Sequence, residues 1–407
     1  MQYWTVKEAA ARWQLTERRV QELCRVGAVR DAIRWGRGWM IPADTERPAD
    51  RRRKENRGIS SAPRRPLLLA MTSFYSEPGS ADRLFGELSD RPASSLLFES
   101  QLCYFRGDIR RAQELSHRVL TMSDIGFDGQ AGAGLMLALC GIHRGNLALY
   151  REGKHYLVSV PYTDGTDLAE LSLWRAGLES ELLDVDGFPA WLRSGKLSEV
   201  PRETHPAARF FYLKYLFVYA HERLKRPDNR VGIVDLMRLI PTVGEPLVAQ
   251  TAIEGSLLCE IYLRLMCAVG YHRSGMDDLA VEHLDRAIAL AMPDRLWQPF
   301  VETRRLLDYL LDDHLGRVSS EALREVKRLN KTYLEGWTSL QNLLLSRKVS
   351  NHLTIREREV ARLAVYGLSN KEIALWLHIS VNAVKLALRI AMDKTGAEKR
   401  ADLGNYV

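Results

Sequence analysis

Lys385 and Arg389 stand four residues apart, so on a helix they share one face, while Val384 and Leu388 share another. Ser380 stands just ahead of them and is a good N-cap. A capped helix with cations on one face suits a polyanion. In a helix-turn-helix, one helix braces on the DNA backbone and the next enters the major groove.

Such a helix needs elements that hold it, and the preceding residues supply them. Thr354 followed by Glu357 is a capping box, and so is Ser369 followed by Glu372; each opens a short helix. Val360, Leu363 and Ala364 line one face of the first, and Ile373, Ala374 and Leu377 one face of the second. Gly367 falls where the first helix must stop. His378-Ile379 then makes a tight turn into Ser380.

This stretch resembles the C-terminal DNA-binding domain of LuxR-type transcription regulators. The words that match are Leu353-Thr354, Arg356-Glu357-Arg358-Glu359-Val360, Gly367, Ser369-Asn370-Lys371-Glu372-Ile373-Ala374, Ile379-Ser380 and Val384-Lys385. The resemblance implies a four-helix domain whose third helix reads bases. By position, Lys385, Leu386 and Arg389 would face base edges. Lys371 would lie near phosphate, and Ser380, Asn382 and Ala383 would join the interface at the helix start. Ala383 and Ala387 stand where the family usually has Thr and His, and Ala391 and Thr395 replace larger apolar residues. The plainer reading is a capped helical bundle with a solvated basic face.

The N-terminus offers a second candidate reader. Thr5 with Glu8 forms another capping box and opens a helix through Trp13, with Ala9 and Ala10 on its apolar side. Thr16 can cap a second helix reaching Val26, with Val20, Leu23 and Cys24 inward and Arg18, Arg19, Gln21 and Arg25 outward. The run Ile33 to Pro42 reads as a β-hairpin with the tip Gly36-Arg37-Gly38, packed through Trp35 and Trp39. These fifty or so residues resemble the small winged helix-turn-helix of excisionases and MerR-type regulators. That resemblance places Thr16, Arg18, Arg19 and Gln21 in the major groove. It puts Arg34 and Arg37, on the wing, at phosphate or minor groove. A small interaction domain that kept the fold is the plainer alternative.

Charge divides the chain in the same way. Residues 1–66 hold 16 Lys/Arg against 8 Asp/Glu, residues 67–346 hold 31 against 37, and residues 347–407 hold 11 against 6. Two basic ends therefore flank an acidic middle, and nucleic acid would meet the ends. Prolines 42, 48, 63 and 66 and the run Arg51-Arg52-Arg53-Lys54 mark residues 47–66 as a basic flexible linker. The five cysteines are scattered without a Cys-x-x-Cys, which points to reduced thiols in a cytosol. No run of 18 apolar residues occurs, so no membrane span is expected. The start, Met1-Gln2-Tyr3-Trp4, lacks a secretion signal.

The middle, residues 67–346, reads as helical throughout, because apolar residues recur at three and four. Arg106-Gly107-Asp108, Arg144-Gly145-Asn146 and Ser274-Gly275-Met276-Asp277 each separate two amphipathic stretches. In the last unit Tyr262 to His272 forms one helix. Leu279, Ala280, Leu284, Ala287 and Ile288 form the inner face of the next, and Pro293 closes it. Ala112 and Ala280 each follow their junction glycine by five. The pattern resembles a tetratricopeptide repeat. The stretch Ile261 to Phe300 also resembles the helical repeats of large maltose-activator-like LuxR regulators, which implies a ligand or partner site there. A spacer and dimer scaffold is the alternative.

No phosphate-binding glycine loop, metalloprotease motif or nucleophile elbow is found, and the ten histidines have no metal-ligand spacing. The expectation is therefore a mainly α, non-enzymatic, cytoplasmic regulator of transcription. It has a winged helix-turn-helix with a small β-hairpin at residues 1–46, tetratricopeptide-like α-helical repeats at 67–346, and a four-helix helix-turn-helix domain at 347–407. Its partners would be double-stranded DNA, a small-molecule or protein effector on the repeats, and a second copy of the chain in a homodimer. It needs no cofactor or metal. Two other classes stay open. A recombination-directing architectural protein would bind only at recombination ends, and an interaction scaffold would not retain DNA at all.

Overall fold

The computed structural model describes residues 3–13, 15–25, 29, 32–35, 38–43, 45, 67–123, 125–225, 231–345, 349 and 352–407. It is mainly helical, with 18 α-helices and one small sheet among the described residues. By contacts the chain forms two compact units, residues 1–63 and 64–407.

In the first unit, α1 (Val6–Trp13) and α2 (Glu17–Arg25) pack on a sheet of β1 (Tyr3–Thr5), β2 (Ile33–Trp35) and β3 (Gly38–Pro42). The strand order is β1-β3-β2, all antiparallel, with Trp4 opposite Ile41 and Arg34 opposite Trp39. The expected hairpin is thus β2-β3, and β1 adds a strand that the sequence pattern did not announce. Three residues before a helix cap are too few to show alternation. Thr5 and Glu8 cap α1 reciprocally: Thr5 N donates to Glu8 Oε2 at 2.7 Å, and Glu8 N donates to Thr5 Oγ1 at 3.3 Å. The core holds Ala9, Ala10, Trp13, Val20, Cys24, Val29 and Ile41, with Trp4 edge-on to Trp13.

The second unit opens with α3 (Ala81–Glu87) and then runs in helical pairs. These are α4 (Pro92–Arg106) with α5 (Ile109–Leu120), and α6 (Gly126–Arg144) with α7 (Leu147–Ser159). Next come α8 (Gly165–Glu181), α9 (Ala190–Arg193), α10 (His205–Leu224) and α11 (Ile233–Glu254). They are followed by the pair α12 (Leu257–Arg273) and α13 (Asp277–Ala291), then α14 (Gln298–Val318) and α15 (Ser320–Leu345). The three expected junctions are where the chain turns. Gly107, Gly145 and Gly275 take positive φ, and the side chains of Asp108 and Asn146 cap the following helices. Ala112, Ala280 and Ala287 are buried where helices meet, as their size suggests. Leu279 is not: it lies 38% exposed, one position off the buried face carried by Ala280, Leu284, Ala287 and Ile288. Helices α6 and α7 approach closely. A Cβ on Gly153 would lie 2.3 Å from Ala138 N and from Gly134 O, so only glycine fits there.

The C-terminal segment consists of α16 (Ile355–Val365), α17 (Asn370–Trp376), α18 (Val381–Thr395) and a short 3-10 helix, Arg400–Asn405. The expected fourth helix is therefore a 3-10 turn. It is held by Arg400, whose guanidinium donates to Leu368 O and to Asn370 Oδ1, the latter at 2.7 Å. This segment packs into the same compact unit as the helical body.

Candidate nucleic-acid interface

The local rules act as the sequence implies. Thr354–Glu357 and Ser369–Glu372 are both complete capping boxes, and the Ser380 hydroxyl accepts from Ala383 N at 3.1 Å. Gly367, at φ +92°, lets the chain leave α16, and His378, at φ +51°, makes the tight turn after α17. The chain bends by 108° between α17 and α18, within the 90–120° typical of a helix-turn-helix. Val360, Leu363 and Ala364 of α16, Ile373, Ala374 and Leu377 of α17, and Val384, Leu388 and Ala391 of α18 are buried together. Burying these nine apolar side chains fixes which face α18 must leave outside.

That face carries the expected residues. Ser380, Asn382, Ala383, Lys385, Leu386 and Arg389 are all exposed, and Lys371 is exposed at the start of α17. Leu386 is 48% exposed, and so is fit for apolar contact. Leu375 on α17 is 76% exposed and was not singled out from sequence, because a lone leucine in an amphipathic stretch carries no sign of where it points. Ala387 is half-buried against the core, and Thr395 turns its hydroxyl back to Ala391 O at 2.7 Å. Both small residues thus sit against helix packing.

At the N-terminus, Thr16, Arg18 and Gln21 are exposed along the start of α2, the side expected to meet DNA. Arg19 lies on the same helix, and Arg34 lies on β2 opposite Trp39; their side-chain positions are outside the described set. Arg37, the expected wing tip, lies outside the described residues, as does the expected linker, residues 47–66.

The opposite side of the C-terminal segment is engaged by the body. Glu357, Arg358, Glu359 and Arg362 of α16 are all buried despite their charge. Arg362 donates to Asp308 Oδ2 at 2.7 Å in an ion pair whose side chains are 8% and 0% exposed. Burial opposes both charges. The pair nonetheless holds Arg362 above its usual pKa, while Arg362 and Arg273 hold Asp308 below the usual carboxylate range. Asp308 interrupts α14 with φ +51° and ψ −127°, a conformation that costs a non-glycine residue roughly 1–3 kcal/mol. Nearby, His221 Nδ1 lies 2.5 Å from the Tyr366 hydroxyl, and Lys225 Nζ donates to Gly404 O and Val407 O. Burial and four neighbouring cations push the His221 pKa well down. None of these seam residues was legible in the sequence as a contact. Arg362 and Asp308 are 54 positions apart, and nothing local links them.

His272, Asp308 and Glu359 bring possible ligand atoms within 4.8 Å of one another. Guanidinium groups already hold two of the three, Arg362 on Asp308 and Arg356 on Glu359 at 3.2 Å, and His272 Nδ1 lies 2.7 Å from the Asp277 carboxylate. A cation there would face like charge.

Compared with known proteins, residues 351–407 match the family model described as "Bacterial regulatory proteins, luxR family". No curated protein and no solved structure matches the chain significantly. The C-terminal segment is thus a LuxR-family helix-turn-helix, a DNA-binding element of transcription regulation. No single described helix is long and apolar enough to cross a membrane.

Proposed function

We propose that this chain is a sequence-specific, non-enzymatic regulator of transcription that acts in the cytoplasm and reads DNA through α18. One observation carries the reading. A segment matching the luxR family presents Lys385, Leu386 and Arg389 on one exposed face of a helix capped by Ser380. Its apolar face is consumed by packing, so only this face is left to read base edges. Asn382 and Ala383 stand at the start of the same helix and join the interface, and Lys371, exposed at the start of α17, meets phosphate.

The finer parts of the proposal extend this. The N-terminal unit is a second, winged-helix reader using Thr16, Arg18, Arg19 and Gln21, with Arg34 and Arg37 on its wing. The tetratricopeptide-like body is the sensing and assembly part, taking an effector and pairing with a second copy. Two linked readers on one chain raise each other's effective concentration on a duplex. The buried seam between body and α16 supports a sensing role, because what binds the body can act on the reader through it.

The test is a gel-shift titration of the full chain on DNA upstream of its own gene, with Lys385→Ala and Arg389→Ala. Each variant should lose about 1–3 kcal/mol of specific affinity while keeping its fold. Unchanged affinity in both would end the base-reading assignment. Retention of DNA only at recombination ends would favour the architectural alternative.

A further inference from the structure

A cavity of about 540 Å³ lies between the helical body and the C-terminal segment. Its walls come from α10, α12, α14 and α15 of the body. The far wall comes from Arg358, Arg362 and Val365 of α16 and from the terminal 3-10 helix. The volume falls in the ~300–1,000 Å³ range of small-molecule sites.

The charges on its walls do not balance. Three cations there have carboxylate partners: Lys214 with Glu181, Lys225 with Glu222, and Arg362 with Asp308. Three do not. Among the described residues, Arg273, Arg305 and Arg358 reach no carboxylate within ion-pair distance, although all three line the cavity; Glu302, also on its wall, accepts from Tyr104, Tyr262 and Gln298 instead. Arg273 donates from Nε to Leu306 O and also engages the Tyr366 hydroxyl, and its buried Nη1 has no partner among the described residues. Arg358 donates to Leu353 O, and its buried Nε has no partner among the described residues. Both side chains are more than nine-tenths buried. Arg305 lies over the Trp337 ring at 4.8 Å, and Arg273 over Phe217 at 5.8 Å. Burial and mutual repulsion push the pKa of Arg273 down to about 10 and that of Arg305 well down.

Guanidinium groups gathered out of water with no ion pair of their own are costly, even with Asp308, already paired to Arg362, attracting all three from a distance. Their open N–H groups form a fork that carboxylate and phosphate oxygens satisfy. The neighbouring surface is aromatic: Phe217, Tyr333 and Trp337 line the same space. We propose that this cavity binds a small organic anion with an aromatic or apolar body, its carboxylate or phosphate held by Arg273, Arg305 and Arg358. Arg273 and Arg305 belong to the body and Arg358 to α16, so the bound anion ties the reader to the body. The effector role of this ligand rests on the regulator reading above; its binding does not.

Calorimetric titration of the full chain would use phenyl phosphate and phenylacetate as probes, with phenylacetamide and inorganic phosphate as controls. At least one aryl anion should bind saturably, about tenfold or more tighter than either control. Phenyl phosphate winning alone assigns a phosphate ester, and phenylacetate winning alone assigns a carboxylate. Arg305→Met should weaken that binding by about tenfold or more, and Arg317→Met, on the exposed far part of α14, should not. If Arg305→Met fails to fold, Arg358→Gln takes its place. Amide hydrogen exchange across Ile355–Val365 should slow when the anion binds. The inference is overturned if phenylacetamide binds as tightly as the anions, if neither anion binds at millimolar concentration, or if the folded variant binds unchanged. A gel shift on the same preparation separates the two claims. DNA binding without anion binding sinks this inference alone, and anion binding without DNA binding sinks the regulator reading alone.

Discussion

The Arg362–Asp308 pair should decide whether α16 stays seated on the body. Asp308→Asn tests this with little change of shape. Asparagine tolerates positive φ as well as aspartate does, so the strained backbone at φ +51° is left as it is. What changes is charge. Arg362 stays buried among Arg273, Arg305 and Arg358 with its 2.7 Å partner neutralised. Removing one partner of a buried pair costs about 3–5 kcal/mol, and the amide oxygen returns part of that by still accepting a hydrogen bond. A net loss of about 3 kcal/mol is expected, roughly a hundredfold in the seating equilibrium. Hydrogen exchange on α16 amides reads it directly, and urea denaturation reads the total. Arg362→Met and the double variant complete a cycle. The double should be far less destabilised than the two singles summed, because it strands neither Arg362 nor Asp308 without the other. If both singles fall within about 0.5 kcal/mol of the parent, or the cycle is additive, the pair does not hold the seam.

The reader and the body offer further tests. Lys371→Ala should weaken binding on all sequences alike and lower the salt slope of log affinity by about one, as loss of a phosphate contact does; an unchanged slope removes Lys371 from the interface. Gly153→Ala should destabilise the body by about 1–3 kcal/mol in thermal unfolding, since its Cβ would collide with the backbone of α6 at 2.3 Å; a neutral result would mean that α6 and α7 are not so close. Burial raises Glu170 from 4.5 to about 7. Between those values the folded chain binds the extra proton, so stability falls as pH rises through the window. Glu170→Gln should therefore gain on the parent by roughly 3 kcal/mol between about pH 5 and about pH 8 in urea titrations. Parallel pH profiles for the two would refute it.

The caps and buried faces of the helix-turn-helix were legible in the sequence almost to the residue. Thr354, Ser369 and Ser380 cap the helices that they were expected to cap, and the apolar periodicity of Val360, Ile373 and Val384 marks their buried faces. These are local rules: a cap acts over three residues and a helical face repeats within four. The glycine junctions of the body were legible for the same reason. Leu279 was misplaced because a pattern of threes and fours leaves the boundary of a face uncertain by one position. Strand β1 was missed because its partner, β3, lies 35 or more residues on and its own three residues show no alternation.

What the sequence by itself determined was the kind of helices present, where they start and stop, and which side of α18 faces out. What only the tertiary structure decided was how those helices meet. The burial of Arg358 and Arg362, the kink at Asp308 and the cavity between α12, α14 and α16 depend on residues far apart in the chain. In sequence, the charges of α16 read as an ordinary solvated helix. Their partners are set by packing, and packing answers to the shape of the whole body rather than to any window along the chain.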